Sequence, residues 1–221
     1  MTPRTRQLEG RRRHAAGATV PAIALAVAMA AWLAAAPASA ALVDVRIRDA
    51  AGVPLADAVA LLEPVGARAP VKPMADVEIS QAKRHFNPRV TLITVGTRVT
   101  FPNFDTVRHQ VYSFSPIKTF EIKLYAGVPT IPVVFDKPGI AVLGCNIHDS
   151  MAAWVVVADT PWTARTAADG HARLDGVPPG NYRLRTWHPG LAADTEGPAV
   201  PVTVGNADLD LPVSLPVGSG S

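Results

Sequence analysis

The sequence predicts an all-β chain. Helical periodicity is nearly absent, and short runs rich in Val, Ile, Thr and aromatic residues recur instead. Gly, Pro and Asn breaks separate these runs at the close spacing of a β-sandwich. A single cysteine, Cys145, stands directly after one of the predicted strands.

The first forty residues read as an export signal. Arg4, Arg6 and Arg11-Arg12-Arg13 form a basic leader, an apolar run extends from about Val20 to Ala36, and Ala38-Ser39-Ala40 is a small-residue cleavage site. The run is short and Ala-rich, whereas a spanning helix needs roughly 20 strongly apolar residues. The expectation is therefore an exported, periplasmic protein with no stable membrane span once the signal is removed. Five of the 21 Lys/Arg and one of the 18 Asp/Glu precede Ala41, which leaves 16 basic and 17 acidic residues. The basic character of the whole chain belongs to the leader, so no nucleic-acid partner is expected.

Val43, Val45 and Ile47 alternate with Asp44, Arg46 and Arg48 as a half-buried strand. Asp49-Ala50-Ala51-Gly52 turns the chain, and Ala58 to Leu62 returns. An Ala/Pro-rich linker covers Gly66 to Pro73. Further strands are predicted at Val77–Ile79, Val90–Val95, Thr97–Phe101, His109–Phe114, Thr119–Tyr125, Ile131–Phe135, Ile140–Leu143 and Ala152–Val157. These suffice for a closed two-sheet sandwich of Greek-key type. After a break at Asp159-Thr160-Pro161, strands return at Tyr182–Trp187 and around Val200 to Val204.

Cys145 opens the run Gly144-Cys145-Asn146-Ile147-His148-Asp149-Ser150-Met151, a C-x2-H-x2-M spacing. One cysteine cannot form a disulfide within the chain, which leaves an intermolecular bridge, a reactive thiol, an inert buried thiol or a metal ligand. His109 begins an upstream strand, so one thiolate, two imidazoles and one thioether are available together. That donor set matches the trigonal His2Cys copper site with a weak axial Met, because soft sulfur suits Cu(I) while imidazole suits Cu(II). Zinc is the main chemical rival, but it does not favour thioether and would find only three good ligands. Taken alone, His109 reads as a satisfied core or surface histidine and Met151 as packing. Asn103, Gln110 and Asn146 flank the ligand segments and are candidates for orienting them, with turn chemistry or solvent exposure as the plainer alternative. His14, His85, His171 and His188 read as leader, surface or structural residues, although His188 beside Trp187 could pack against the metal domain.

On these residues, the stretch 75–157 resembles a cupredoxin, and its Cys-His-Met loop is similar to the short loop of amicyanin. The phrases Phe101-Pro102-Asn103, His109 to Ser115 and Gly144 to Asp149 resemble exported plastocyanin-like proteins, some of the methylamine-utilisation type. The resemblance implies a Greek-key sandwich binding one type 1 copper through His109, Cys145, His148 and Met151. One departure is Asp149, where many small cupredoxins carry Pro. Outside that stretch, Val43 to Val59 and Thr166 to Leu184 together resemble a carboxypeptidase-regulatory-like, or transthyretin-like, β-sandwich. That implies a split domain over 41–66 and 158–215, with the cupredoxin inserted into it or packed beside it.

The function expected from this reading is one-electron transfer with a periplasmic redox partner protein. A catalytic copper enzyme would need a further site, commonly built with His-x-His, and no such pair occurs. A copper carrier or store is the first alternative, weakened because only Met74 and Met151 remain after the leader. An envelope-associated structural sandwich with a non-essential metal site is the second.

Overall fold

The computed structural model describes residues 40–66, 68–148, 150–191, 197 and 199–218. The predicted leader falls, apart from Ala40, outside the described residues. Seventeen strands and no helix occur among them. The first two are β1 (Ala41–Arg48) and β2 (Val59–Pro64). A central series follows: β3 (Val77–Glu78), β4 (Ser80–Ala82), β5 (His85–Asn87), β6 (Val90–Thr94) and β7 (Thr97–Thr100). It continues with β8 (His109–Ser115), β9 (Lys118–Tyr125), β10 (Val133–Phe135), β11 (Gly139–Gly144) and β12 (Ala152–Ala158). The last are β13 (Thr163–Arg165), β14 (His171–Val177), β15 (Gly180–Trp187), β16 (Val200–Val204) and β17 (Leu209–Ser214).

The central series builds a five-stranded sheet, β6-β12-β11-β8-β9, and a three-stranded sheet, β10-β7-β3. Between them lies an apolar core that includes Ile79, Ile93, Val99, Phe101, Val111, Phe135, Leu143 and Val155. Phe120 packs on it, its ring 5.7 Å from Phe101 and edge-on to Phe135 at 6.2 Å. Cys145 and Met151 belong to this same core. The residues before and after the central series pair with each other across the chain. Strand β1 lies between β14 and β17, and β2 lies between β13 and β15, with β16 beyond.

Alternation explains β1. Val43, Val45 and Ile47 are fully buried, while Asp44 and Arg46 reach outward to partners on the neighbouring strands. Arg46 Nε meets Asp210 at 2.6 Å on β17, and His171 Nδ1 meets Asp44 at 2.9 Å on β14. Strand β12 follows a different rule. Ala153, Val155 and Val157 face the central core, whereas Val156 and Ala158 join the core of the flanking sheets. A strand buried on both faces must be apolar throughout, and Val155-Val156-Val157 meets that requirement. Trp154, whose ring centroid lies 6.3 Å from that of Trp187, and Arg89, stacked 5.0 Å over Trp154, extend this contact. Residues Ala38–Ser221 accordingly form one compact unit.

Each predicted strand is present, within a residue or two at its ends. Five strands were missing from the sequence reading. Strands β4, β5 and β13 have only three residues each, too short to show a period. Strand β14 begins at His171, directly after the turn at Gly170, and in β17 Pro212 interrupts the alternation of Leu209-Asp210-Leu211-Pro212-Val213. The Ala/Pro-rich segment forms no strand but is tied to the central sandwich. Thr94 Oγ1 donates to the Lys72 carbonyl at 2.7 Å, and the Met74 N–H donates to Thr97 Oγ1 at 3.0 Å.

His188 is 94% removed from solvent, and its Nδ1 accepts the Gly190 N–H at 3.0 Å. Burial, aided by repulsion from Arg89, pushes its pKa below 6.5, against smaller opposing contributions from Ala56 and Asp57. The unfolded chain thus takes the proton first, and folding stability from this group is lost as pH falls below about 6.5. His188→Gln should therefore lose less stability than the native chain between about pH 7 and pH 5, read from denaturant midpoints at each pH. Parallel pH profiles would show that the ring does not titrate in this way.

Candidate metal centre

Strand β11 delivers Cys145 to the edge of the core, and β8 delivers His109 beside it. The two strands meet in register at Gly144 and Tyr112. A Cβ at Gly144 would stand 2.6 Å from the Tyr112 ring, so that side chain would have to move. The loop 145–151 then brings His148 back. It is closed by the Met151 N–H, which donates to the His148 carbonyl at 2.9 Å.

His109, Cys145 and His148 converge, their candidate donor atoms all lying within 4.8 Å of one another. Cys145 Sγ lies 3.8 Å from His109 Nδ1. A sulfur and a nitrogen bound to one ion at about 2.3 and 2.0 Å, roughly 120° apart, stand about 3.7 Å from each other, close to the observed contact. The two imidazole rings approach at 5.2 Å between centroids with 62° between their planes. His148 Nδ1 is buried and makes no hydrogen bond to the protein. Such an orphaned nitrogen normally costs about 1–3 kcal/mol, and a bound cation would satisfy it. One sulfur and two imidazole donors fit copper.

Met151 is 2% exposed and lies in the same apolar cluster as Cys145. His148 is the partly exposed member of the set, next to Ile147, which is 49% exposed. The remaining histidines stand elsewhere: His85 is exposed on β5, His171 pairs with Asp44, and His188 is buried near Arg89. Asp149, expected to place a charge beside the loop, lies outside the described residues. Gln110 reaches Glu121 at 2.5 Å on the neighbouring strand, the surface role that was its plainer alternative. Asn146 is exposed.

Asn103 holds the loop that precedes His109. Its side-chain amide donates to the carbonyls of Val107 at 2.9 Å and Tyr125 at 3.0 Å, while its Oδ1 accepts the Asp105 N–H at 2.9 Å. Tyr125 and Gln81 complete the clamp. The Tyr125 hydroxyl donates to the Phe101 carbonyl and meets the Gln81 amide, and Gln81 also bonds the Pro102 carbonyl through its backbone N–H. Burial pushes Tyr125 up to about 12, with the Gln81 contact opposing and the Cys145 charge adding, so the phenol stays a donor.

The sequence reading missed Asp105. Its Oδ2 stands 2.8 Å from His109 Nε2, on the opposite edge of the ring from Cys145. The backbone N–H of Arg84 is the largest influence holding this carboxyl below its usual range; partial burial opposes it, while the His109 ring and the Lys83 N–H add. An acidic residue four positions before a candidate ligand was the available signal.

No protein-family model matches the chain, and no curated protein matches it. Among solved structures, an amicyanin mutant in its reduced Cu(I) form at pH 4 overlays with a TM-score of 0.34 and 20% identity, covering 39% of this chain and 91% of that one. A purple cupredoxin from Nitrosopumilus maritimus overlays at 0.33 and 24% identity, covering 38% and 99%. A copper-containing nitrite reductase from Thermus scotoductus overlays at 0.35 and 27% identity, covering 51% of this chain but 28% of that enzyme. None of these overlays supports the transthyretin-like resemblance of the flanking strands. No described helix is long and apolar enough to cross a membrane.

The approach of β8 to β11 gives a direct test of how Cys145 is placed. Gly144→Ala should destabilise the fold by about 1–3 kcal/mol through overpacking against Tyr112. Tyr112→Ser in the same chain should restore most of that loss. Denaturant unfolding of both variants reads the effect; a Gly144→Ala chain as stable as the native one would show that the contact is loose.

Proposed function

We propose that this chain holds one copper ion between His109, Cys145 and His148, with Met151 as a weak fourth ligand, and passes single electrons to a partner protein in the periplasm. The observation that carries this reading is the convergence of His109, Cys145 and His148, two of them buried and the third carrying a buried nitrogen with no hydrogen-bond partner among the described residues. Copper, when bound, supplies a one-electron couple. The residues supply the rest: His109 and Cys145 are held by paired strands, and the sulfur–imidazole set accommodates both oxidation states with little movement. His148 is the ligand nearest solvent, and its ring gives the shortest route from the core to a docked partner. With Met151 included, the four donors leave no open position for a substrate, which favours a carrier over an enzyme. The absence of His-x-His points the same way.

Titrating the purified chain without its leader with Cu(II) tests the proposal. An intense thiolate-to-copper absorption should saturate at one equivalent, with narrow parallel hyperfine splitting in EPR. Cys145→Ala should abolish the band. A colourless protein that takes Zn(II) in preference to copper would overturn the assignment.

A further inference from the structure

Resting on the copper reading, we propose that Asp105 is the positioning residue of the centre and that the Lys83-Arg84 turn is its anchor. The carboxylate fixes the proton of His109 on Nε2, so that the Nδ1 lone pair faces Cys145.

The geometry is a relay of three contacts. Strands β4 and β5 pair at Ala82 and His85, leaving Lys83 and Arg84 as a two-residue hairpin turn. Both have positive φ, 55° and 61°, as a type I′ turn requires. Asn-Gly would adopt this backbone readily, whereas Lys and Arg bear strain in it. The strained turn aims two successive N–H groups at one target: Lys83 N lies 2.6 Å from Asp105 Oδ1, and Arg84 N lies 2.9 Å from Asp105 Oδ2. Successive backbone N–H groups of this kind form a concavity that binds anions. Asp105 Oδ2 in turn meets His109 Nε2 at 2.8 Å, while the Asn103 side chain accepts the Asp105 N–H and fixes its backbone.

A carboxylate can only accept, so the His109 nitrogen beside it must carry the hydrogen. The opposite nitrogen, Nδ1, then keeps its lone pair for the ion beside Cys145. Full burial of His109 removes water as a competing partner for either nitrogen. A negative charge behind the ring also makes it a stronger donor, which favours Cu(II) over Cu(I) and lowers the reduction potential.

The test combines a readout on the metal-free chain with two on metal-bound chains. Long-range 1H–15N spectra of the metal-free protein at pH 7 should show His109 as the Nε2–H tautomer. Asp105→Asn keeps the shape but loses the charge, and should weaken Cu(II) relative to Cu(I) by about tenfold. For a one-electron couple that raises the potential by about 59 mV. Zn(II) affinity of the same variant should fall about tenfold as well. Lys83→Pro removes one of the two backbone donors and cannot adopt the positive φ of the turn, so it should shift the potential and the Zn(II) affinity in the same direction as Asp105→Asn. A native chain with the His109 proton on Nδ1, or a doubly protonated ring, overturns the proposal. So does an Asp105→Asn chain with unaltered potential and Zn(II) affinity, or a Lys83→Pro chain whose potential and Zn(II) affinity match the native chain. If Asp105→Asn does not fold, the tautomer in the native chain decides. If the native chain shows no thiolate–copper band, the copper reading fails, while the tautomer and Zn(II) affinity still decide the role of Asp105.

Discussion

Three lone-pair donors face one another inside an apolar core, and nothing else in the described structure is as demanding. The Cys145 thiol and His109 Nδ1 share a single long contact at 3.8 Å, and the buried His148 Nδ1 has no hydrogen-bond partner among the described residues. An arrangement of this kind persists only if surrounding structure over-determines it. The local features around it follow from that demand. Gly144 lets two strands close tightly, Asn103 and Tyr125 clamp the loop before His109, and Asp105 holds the far edge of its ring.

The larger architecture contributes at a distance. Strand β12, paired along its length with β11, is buried on both faces because a second layered core packs against the first. A strand at a solvated sheet face can bend or slip; one trapped between two cores is held in register by its side chains on both sides. Cys145 follows β11 directly, so the position of its sulfur inherits that register. The flanking strands carry no cluster of metal-binding groups among the described residues, and their packing against β6 and β12 gives them a structural role in placing the centre.

Much of this was legible in the sequence because it rests on side-chain type. Alternation in Val43-Asp44-Val45-Arg46-Ile47 marked β1, the apolar run from Ala152 to Val157 marked a strand, and the Cys-His-Met spacing marked the loop. His109 was found because a second imidazole was needed and it stood at a strand start. What escaped depends on backbone rather than side chain. Lys83-Arg84 reads as a solvated charge pair, since nothing in residue identity reveals that both adopt positive φ and offer their N–H groups inward. Asp105 escaped with it, because the backbone donors that anchor its carboxylate lie twenty-one and twenty-two residues away. Strand β17 was a different miss: its parallel pairing with β1 is non-local, and Pro212 weakened a pattern otherwise visible.

The centre is also asymmetric in how firmly its parts are held. His109 is fully buried, hydrogen-bonded on the edge away from Cys145, and set in a paired strand. Cys145 is fixed by strand register. His148 and Met151 instead ride on a loop closed by a single backbone bond between them, with Asn146 and Ile147 exposed above. A site held rigidly on one side and by a short loop on the other can adjust the loop-borne ligands by small amounts without disturbing the sulfur. For a one-electron centre that division is useful, because the thiolate and the buried imidazole stay in place when the charge on the ion changes. The same loop carries His148, the most exposed member of the set, so in the proposed function any adjustment falls on the side open to a partner.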